Sequence, residues 1–416
     1  MRIRAVRVEY ARSRASKAGV PASVPASVPA RVAASVPASV PARTERGLRD
    51  RQDCSQTART FLSDRMADVH ELQPFCGWCY AAGTADVKML RCGKCKKRVY
   101  CSKDCQIKDW KAGAHKHWCS KSGEVGHDVA FCSTESKGFA MFAMRKFERG
   151  DKIMVERAAA TKAQCRDGAV PGGVSEGMLR AATALMPHDN PEIGSKFALN
   201  SFEMDDGSEG LFIHMAYANH SCLPNAVHHS VASQGGVKLL VAGRTIEAGE
   251  EICHQYVSVE GETRLAAKGQ SLGAFLHEVW GFQCDCPACT DPAMASKRTR
   301  MRELDAAIVA CTMSDVRTPD GPQRFDEALG LGDELIALLE ELRCSPNHHA
   351  RAYHLLFQLG VTRRATLDQA RKHVELARQQ RVLFVGQGTV CEEVTTLNSL
   401  VNSPETHQAF LAGEPF

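Results

Sequence analysis

Apolar residues follow two different rhythms along this chain. Between about Ser136 and Ala288 they come in short runs rich in β-branched residues, such as DKIMVE, VKLLVAGR and EEICHQYV, broken by Gly and turn-forming residues. Short runs bounded in that way predict strands, with few long helices. Past Pro292 the stretches FDEALGLGDELIALLEEL, ARAYHLLFQLG and LDQARKHVELARQQ place apolar residues three and four apart. That spacing predicts amphipathic helices in a bundle or paired-helix array. Phe75 to Cys119 shows neither rhythm: it is dense in Cys, Lys and His and poor in aliphatics. A module so small cannot hold itself together by burial and needs staples.

The near-repeat VPASVPASVPARVAASVPASVPAR puts proline at Pro21, Pro25, Pro29, Pro37 and Pro41. Proline at that density removes donors and blocks helix, so a solvated, partly polyproline segment is predicted. The expected organisation is therefore an α+β, multidomain chain. A disordered Pro/Ala/Arg-rich segment (1–70) precedes a cysteine-rich module (71–122), a β-rich domain (130–275), a cysteine loop (276–292) and a helical region (293–416).

Composition changes this picture at one point. Hydrophobic content of 44% and charge of 24% are ordinary for globular protein, and a net charge of +4 over 416 residues is too small for a general nucleic-acid footprint. No apolar run reaches membrane-spanning length. Cysteine stands out, with 18 residues and no secretory signal to suggest an oxidising compartment. Reduced cysteines in pairs predict metal, in a cytoplasmic or nuclear protein. The eight Arg or Lys before residue 44, against the single acid Glu9, also suit an organelle transit peptide, mitochondrial targeting included.

The spacings bear this out as an expectation. Cys76/Cys79 and Cys92/Cys95 each have two intervening residues; Cys101/Cys105 and His115/Cys119 each have three. Eight such ligands make two tetrahedral sites, with the last two pairs at i, i+4 on helix-like sequence. Three further cysteines, Cys284, Cys286 and Cys289 in GFQCDCPAC, lack a fourth partner locally. Cys222, inside YANHSCLPNA, can supply it and so tie two distant segments into one cleft. Cys54, Cys132, Cys165, Cys253, Cys311, Cys344 and Cys391 remain unassigned, and His228 and His229 read as a polar turn.

The first eight ligands, with Tyr100 before the fifth cysteine and Trp110 after the sixth, resemble a MYND zinc finger. The resemblance implies interleaved sites: Cys76, Cys79, Cys101 and Cys105 on one zinc, Cys92, Cys95, His115 and Cys119 on the other, with His117 at the wrong spacing to compete. It also implies a protein-interaction module, often for proline-containing peptides. The basic KCKKR could touch phosphates, but such a run is ordinarily a solvated face.

NHSCLPNA, then AGEEICHQYV, then WGFQCDCPAC resemble a SET domain with its post-SET zinc loop. Together with the finger, the chain resembles the SET-and-MYND class of protein-lysine methyltransferases over roughly residues 76 to 290. That resemblance implies S-adenosyl-L-methionine as cofactor, three structural zinc ions, and a protein substrate bearing a target lysine. Asn219, His220 and Asn200 would hold the cofactor; Tyr256 would line the methyl-transfer channel; Phe282, and Trp280 beside it, would wall the pocket. KGFAMFAM matches the first strand and cofactor loop, with Gly138 and Phe139 in place and Ala140 where a second glycine is usual. A methyl there would crowd the cofactor or force a positive φ on a residue with a Cβ. Ala140 is thus the feature that favours a rival function, a non-catalytic adaptor recruiting partners through its finger and tail. The finger also precedes the whole of this motif set, whereas the animal enzymes of the class split the SET domain around it.

Overall fold

The computed structural model describes residues 76–413, apart from 82, 84–87, 114, 120–127, 135–136, 165–181, 183–184, 186–192, 205–206, 232–235, 315–320 and 387–390. The segment 1–70, including the proline repeat and Cys54, lies outside the described residues, as does Cys165. The mixture of sheets and helices is α+β, as the sequence rhythms imply.

The finger folds around a two-stranded ladder, β1 (Leu90–Arg91) and β2 (Val99–Tyr100), followed by α1 (Lys103–Lys111) and α2 (His115–Trp118). Ser102 caps α1 by accepting from the Cys105 amide, which fixes where the helix starts. Arg98 forms an ion pair with Asp109 at 2.7 Å, and Tyr100 Oη donates to the same carboxylate at 2.8 Å. Of the KCKKR run, Arg98 is thus committed inside the finger and is not a phosphate contact.

Among the described residues, the β-rich region forms three small sheets. β5 (Lys152–Arg157), β11 (Val237–Ala242) and β10 (Ala226–Ser230) make the first. β11 is buried along its whole length, and alternate residues serve two different cores. Leu240 and Ala242 join the main core with Met154 and Phe212, while Val237, Leu239 and Val241 pack with Val155 and with Trp118 of the finger. The period-2 alternation explains both the continuous apolar run and the place where the finger docks. Tyr80 reinforces that dock by donating to the Arg157 carbonyl at 3.0 Å, and the Arg157 guanidinium lies 4.5 Å from the Trp78 ring.

His228 and His229 are not in a turn. Both lie on β10, paired with Leu240 and Leu239, and the polar letters hid a strand whose partner supplies the apolar surface.

β3 (Val129–Thr134), β4 (Gly138–Ala143), β12 (Glu251–His254) and β9 (Asn219–His220) form the second sheet, in that order. The β12–β9 pair is parallel, with Cys253 opposite Asn219 and His254 opposite His220. That pairing brings NHSC beside CHQY. The third sheet joins β6 (Ala160–Thr161), β8 (Glu209–Leu211) and β7 (Ser201–Glu203), the last following directly from α3 (Ile193–Asn200).

After β12 come α4 (Val259–Ala266) and α5 (Leu272–Trp280). Gly281 ends α5 in the left-handed region, φ +77°, a conformation that favours glycine, and turns the chain into the cysteine loop that holds α6 (Pro287–Thr290). The tail is helical: α7 (Pro292–Thr312), α8 (Gly321–Glu341), α9 (Pro346–Gly360), α10 (Leu367–Val385), α11 (Glu392–Asn402) and α12 (Gln408–Gly413). Leu304, Ile308, Phe325, Leu339 and Leu355 form one tail core, and Phe357, Val374, Ala377 and Leu400 a second. Among the described residues no helix is long and apolar enough to cross a membrane.

Candidate functional site: three thiolate clusters and a cavity at Tyr256

Three ligand sets converge: Cys76, Cys79, Cys101 and Cys105; Cys92, Cys95, His115 and Cys119; and Cys222, Cys284, Cys286 and Cys289. Within each, the ligand atoms all lie within 4.8 Å of one another. A tetrahedral zinc with Zn–S bonds of about 2.3 Å requires S···S edges of about 3.8 Å. The observed edges are 3.5 Å for Cys79–Cys101, 3.6 Å for Cys101–Cys105, 3.8 Å for Cys92–Cys119, and 3.9 and 3.6 Å from Cys222 to Cys284 and Cys289. Two all-thiolate sets and one of three thiolates with an imidazole, at those edges, fit zinc, and four ligands leave a closed, structural site. In the finger the first ligand pair joins the third and the second joins the fourth. His117 is exposed and outside the cluster.

The thiols respond to this crowding. Burial raises Cys92, but hydrogen bonding to His115 and to nearby backbone amides carries it down to about 6. Hydrogen bonding from Cys222 drives Cys286 to about 6 and lowers Cys284 as well. Cys79 and Cys105 are pushed up instead, first by burial, and Cys222 and Cys289 by hydrogen bonding within their cysteine cluster, so it is the depressed thiols that are readiest to ligate as thiolates.

The third cluster reaches into a site through His220. That imidazole is buried, its Nδ1 accepts from the Tyr256 amide at 3.1 Å, and its Nε2 lies 3.4 Å from Cys222 Sγ. With Nδ1 accepting, the ring proton is on Nε2 and points at the thiolate. One histidine thereby links the zinc cluster to the backbone of Tyr256. This is why a cysteine sits inside the His-containing turn.

Tyr256 faces a cavity of about 690 Å³. One wall comes from the sheets, with Lys137, Phe139, Tyr217, Asn219 and His254; the other from the tail, with Arg302, Leu339 and Arg351. The volume lies within the usual range for ligand sites. The Tyr256 hydroxyl donates to the Ala218 carbonyl at 3.3 Å, which fixes the phenol at the cavity wall. The rings of His254, Trp280 and His220 lie 4.9, 5.1 and 5.3 Å from its own. Trp280 is fixed in turn by donating from Nε1 to the Leu199 carbonyl at 3.1 Å.

Of the residues singled out from sequence, Phe139, Asn200, Asn219, Tyr256 and Trp280 line this cavity. Phe282 stands behind, its ring 6.1 Å from His220 and 6.3 Å from Tyr256. Gly138 opens β4 at φ +71°, a conformation that suits its lack of a Cβ. Ala140 does not intrude. It is fully buried opposite Cys132 on β3, has no positive φ, and is not on the cavity wall.

Asn219 donates from Nδ2 to Glu251 at 2.9 Å and to the Phe139 carbonyl at 3.3 Å, which leaves Oδ1 as its acceptor. Glu251 also takes the Lys137 ammonium at 3.2 Å, and Lys137 reaches Asp285 of the cysteine loop at 3.2 Å.

Sequence reasoning missed much of this wall, the whole tail side included. Tyr217 begins the YANHSCLPNA stretch itself, and burial pushes its phenol up to about 12. Lys137 gave only a start to KGFAMFAM. His228 and His254 come from separate strands, their rings 5.1 Å apart; burial, and then the His254 charge, hold His228 well below the usual imidazole range.

Comparison with known families and proteins agrees with this geometry. A SET domain model matches residues 138–257 and a MYND finger model residues 76–119. N-lysine methyltransferase SMYD2-B of Xenopus laevis is 24% identical over 265 residues, 58% of this chain and 57% of the relative. N-lysine methyltransferase SMYD2 of Homo sapiens is 24% identical over 257 residues, 57% of this chain and 55% of the relative. Histone-lysine N-methyltransferase SMYD3 of Mus musculus is 27% identical over 220 residues, 49% of each. The chain spans about half the length of the curated relatives it matches. A finger and a β-rich domain that each match their own domain model, joined in one chain with all three ligand sets assembled, give this protein a MYND finger and a SET domain and make it similar to the SMYD lysine methyltransferases.

Proposed function

We propose that this protein is an S-adenosyl-L-methionine-dependent protein-lysine N-methyltransferase. The observation that carries the reading is the fixed phenol of Tyr256, held from Ala218 and His220 at the wall of a cavity that also presents Asn219. When bound, S-adenosylmethionine supplies a sulfonium methyl group for in-line displacement. The residues present fit that donor: Asn219 Oδ1 is an acceptor for its ammonium, the Lys137 ammonium suits its carboxylate, and Phe139 and Tyr217 offer apolar walls.

The substrate amine must be neutral. For a lysine at pH 7, deprotonation costs about 4.6 kcal/mol from a pKa of about 10.4. The aromatic side chains of Tyr256, Trp280 and Tyr217 on the cavity wall offset part of that cost by displacing water around the amine and so disfavouring its ammonium form. His228 helps by staying neutral, since a protonated imidazole there would repel the incoming lysine. Tyr256 aims the amine through its fixed phenol, and fixed orientation supplies much of the remaining acceleration.

The three clusters are structural and take no part in the displacement. The finger serves as the protein-interaction module, with Leu90, Ile107 and Trp110 each about 40% exposed as an apolar surface suited to proline-containing peptides. Ligand sets that call for reduced cysteines suit a reducing compartment, the cytosol or nucleus.

The test is transfer of labelled methyl from S-adenosylmethionine to a lysine-rich protein extract. Wild type should label protein on lysine. Tyr256→Phe should lose roughly a hundredfold in turnover while binding the cofactor with unchanged affinity. Absence of cofactor binding at millimolar concentration would leave the finger and tail as the working parts of an adaptor.

A further inference from the structure

One buried carboxylate lies where the helical tail meets the segment that carries Tyr256. Glu262, on α4, is 2% exposed. It accepts from Gln255 Nε2 at 2.8 Å, from Arg302 Nη1 at 3.3 Å, and from Arg298. Both arginines belong to α7, the first helix of the tail, and Gln255 directly precedes Tyr256. A carboxylate this deep persists because two guanidinium groups compensate it and an amide fills a remaining lone pair.

Tyr256 is thus gripped from two sides. On the sheet side, His220 takes its amide and Ala218 its hydroxyl. On the tail side, the neighbouring Gln255 is moored to α7 through Glu262. Arg302 itself lines the cavity beside Gln255, so the brace ends at the reacting space.

We propose that Glu262 is a positioning residue through which the helical tail holds the Tyr256 segment in its transfer-competent orientation. The proposal rests on the methyl-transfer reading for its effect on turnover, and on geometry alone for the mechanical link. The tail is then a working part of the catalytic cavity in addition to a wall of it. A rigid support of this kind acts on orientation, so its loss lowers turnover more than binding.

Two variants of the full, zinc-loaded chain test this. Gln255→Ala cuts the link between the Tyr256 segment and Glu262 and leaves both ion pairs intact, so the fold is retained. Glu262→Gln removes the charge that both arginines share. Hydrogen exchange at residues 254–258 should accelerate roughly fivefold in each variant, with the finger and residues 138–143 unchanged. Turnover should fall about tenfold, with cofactor Kd and substrate KM within about twofold of wild type. Unaltered exchange at 254–258 in both variants would overturn the proposal. So would a parallel loss of turnover, cofactor affinity and melting temperature, which marks a general brace. If wild type transfers no methyl, the exchange measurement still decides the mechanical link, and the failure belongs to the proposed activity.

Discussion

The finger and the post-SET loop use the same zinc chemistry for different ends. The finger's eight ligands fall between Cys76 and Cys119, so both of its sites close short loops and build a module with little apolar core of its own. The post-SET site joins Cys222 to three cysteines more than sixty residues later, and its nearest neighbour is His220, which holds the Tyr256 amide. Metal binding is folding free energy in both, about 10–16 kcal/mol for a structural zinc in a small module. What differs is what each site holds in place. The finger's metals fix a surface that docks on the β5–β11–β10 sheet through Trp118, whereas the third metal fixes one wall of the cavity.

That contrast breaks most readily at Cys222. Cys222→Ser should reduce bound zinc from about three ions per chain to about two. Turnover should fall by roughly a hundredfold or more, because His220 loses its thiolate partner and the Tyr256 segment its register. Zinc content by atomic absorption and labelled-methyl transfer read the two effects separately. His115→Ala should cost the same single ion, yet lower turnover by only about threefold. Its larger effect should be on melting temperature, since a loosened α2 withdraws Trp118 from Val155, Leu239 and Val241. Equal losses of turnover from the two variants would erase the distinction between the clusters.

The metal sites were legible because their information is local. Ligand spacing within the finger, and the odd trio Cys284, Cys286 and Cys289 seeking a fourth sulfur, are both properties of the letters alone. The parallel pairing of β9 with β12, which juxtaposes two of the sequence motifs, was not in the letters. The remainder of the cavity was hidden because it depends on which distant elements meet. Glu262 reads as one more acid on a short helix until Gln255, Arg298 and Arg302 are seen around it. His228 and His229 looked like a turn because polar letters mask a strand whose partner, VKLLVA, carries the apolar surface. Ala140 misled in the opposite direction: a rule about glycine near a cofactor suggested strain, and the backbone turns that methyl into the protein instead. Trp280, which the resemblance put only at the pocket wall, also serves the core, packing with Leu276 and Val279 while lining the cavity.

Ala140 also gives the smallest effect, and the one that best isolates the post-SET cluster as the organiser of the site. Strand β4 supplies no ligand to either kind of cluster. If Ala140 crowded the cofactor, Ala140→Gly would relieve it and tighten S-adenosylmethionine binding by about tenfold, a gain of about 1.4 kcal/mol. The buried, extended geometry opposite Cys132 requires a different outcome. Deleting the methyl removes packed apolar surface and gives the unfolded chain more freedom, a combined cost of about 1 to 2 kcal/mol. Melting should therefore fall by about 3 °C or slightly more. Cofactor Kd by titration calorimetry should stay within about twofold of wild type. A tightened Kd would mean that the donor pocket extends under β4, and that the cavity's limits are set by that strand's side chains as well as by the zinc-anchored wall at Tyr256.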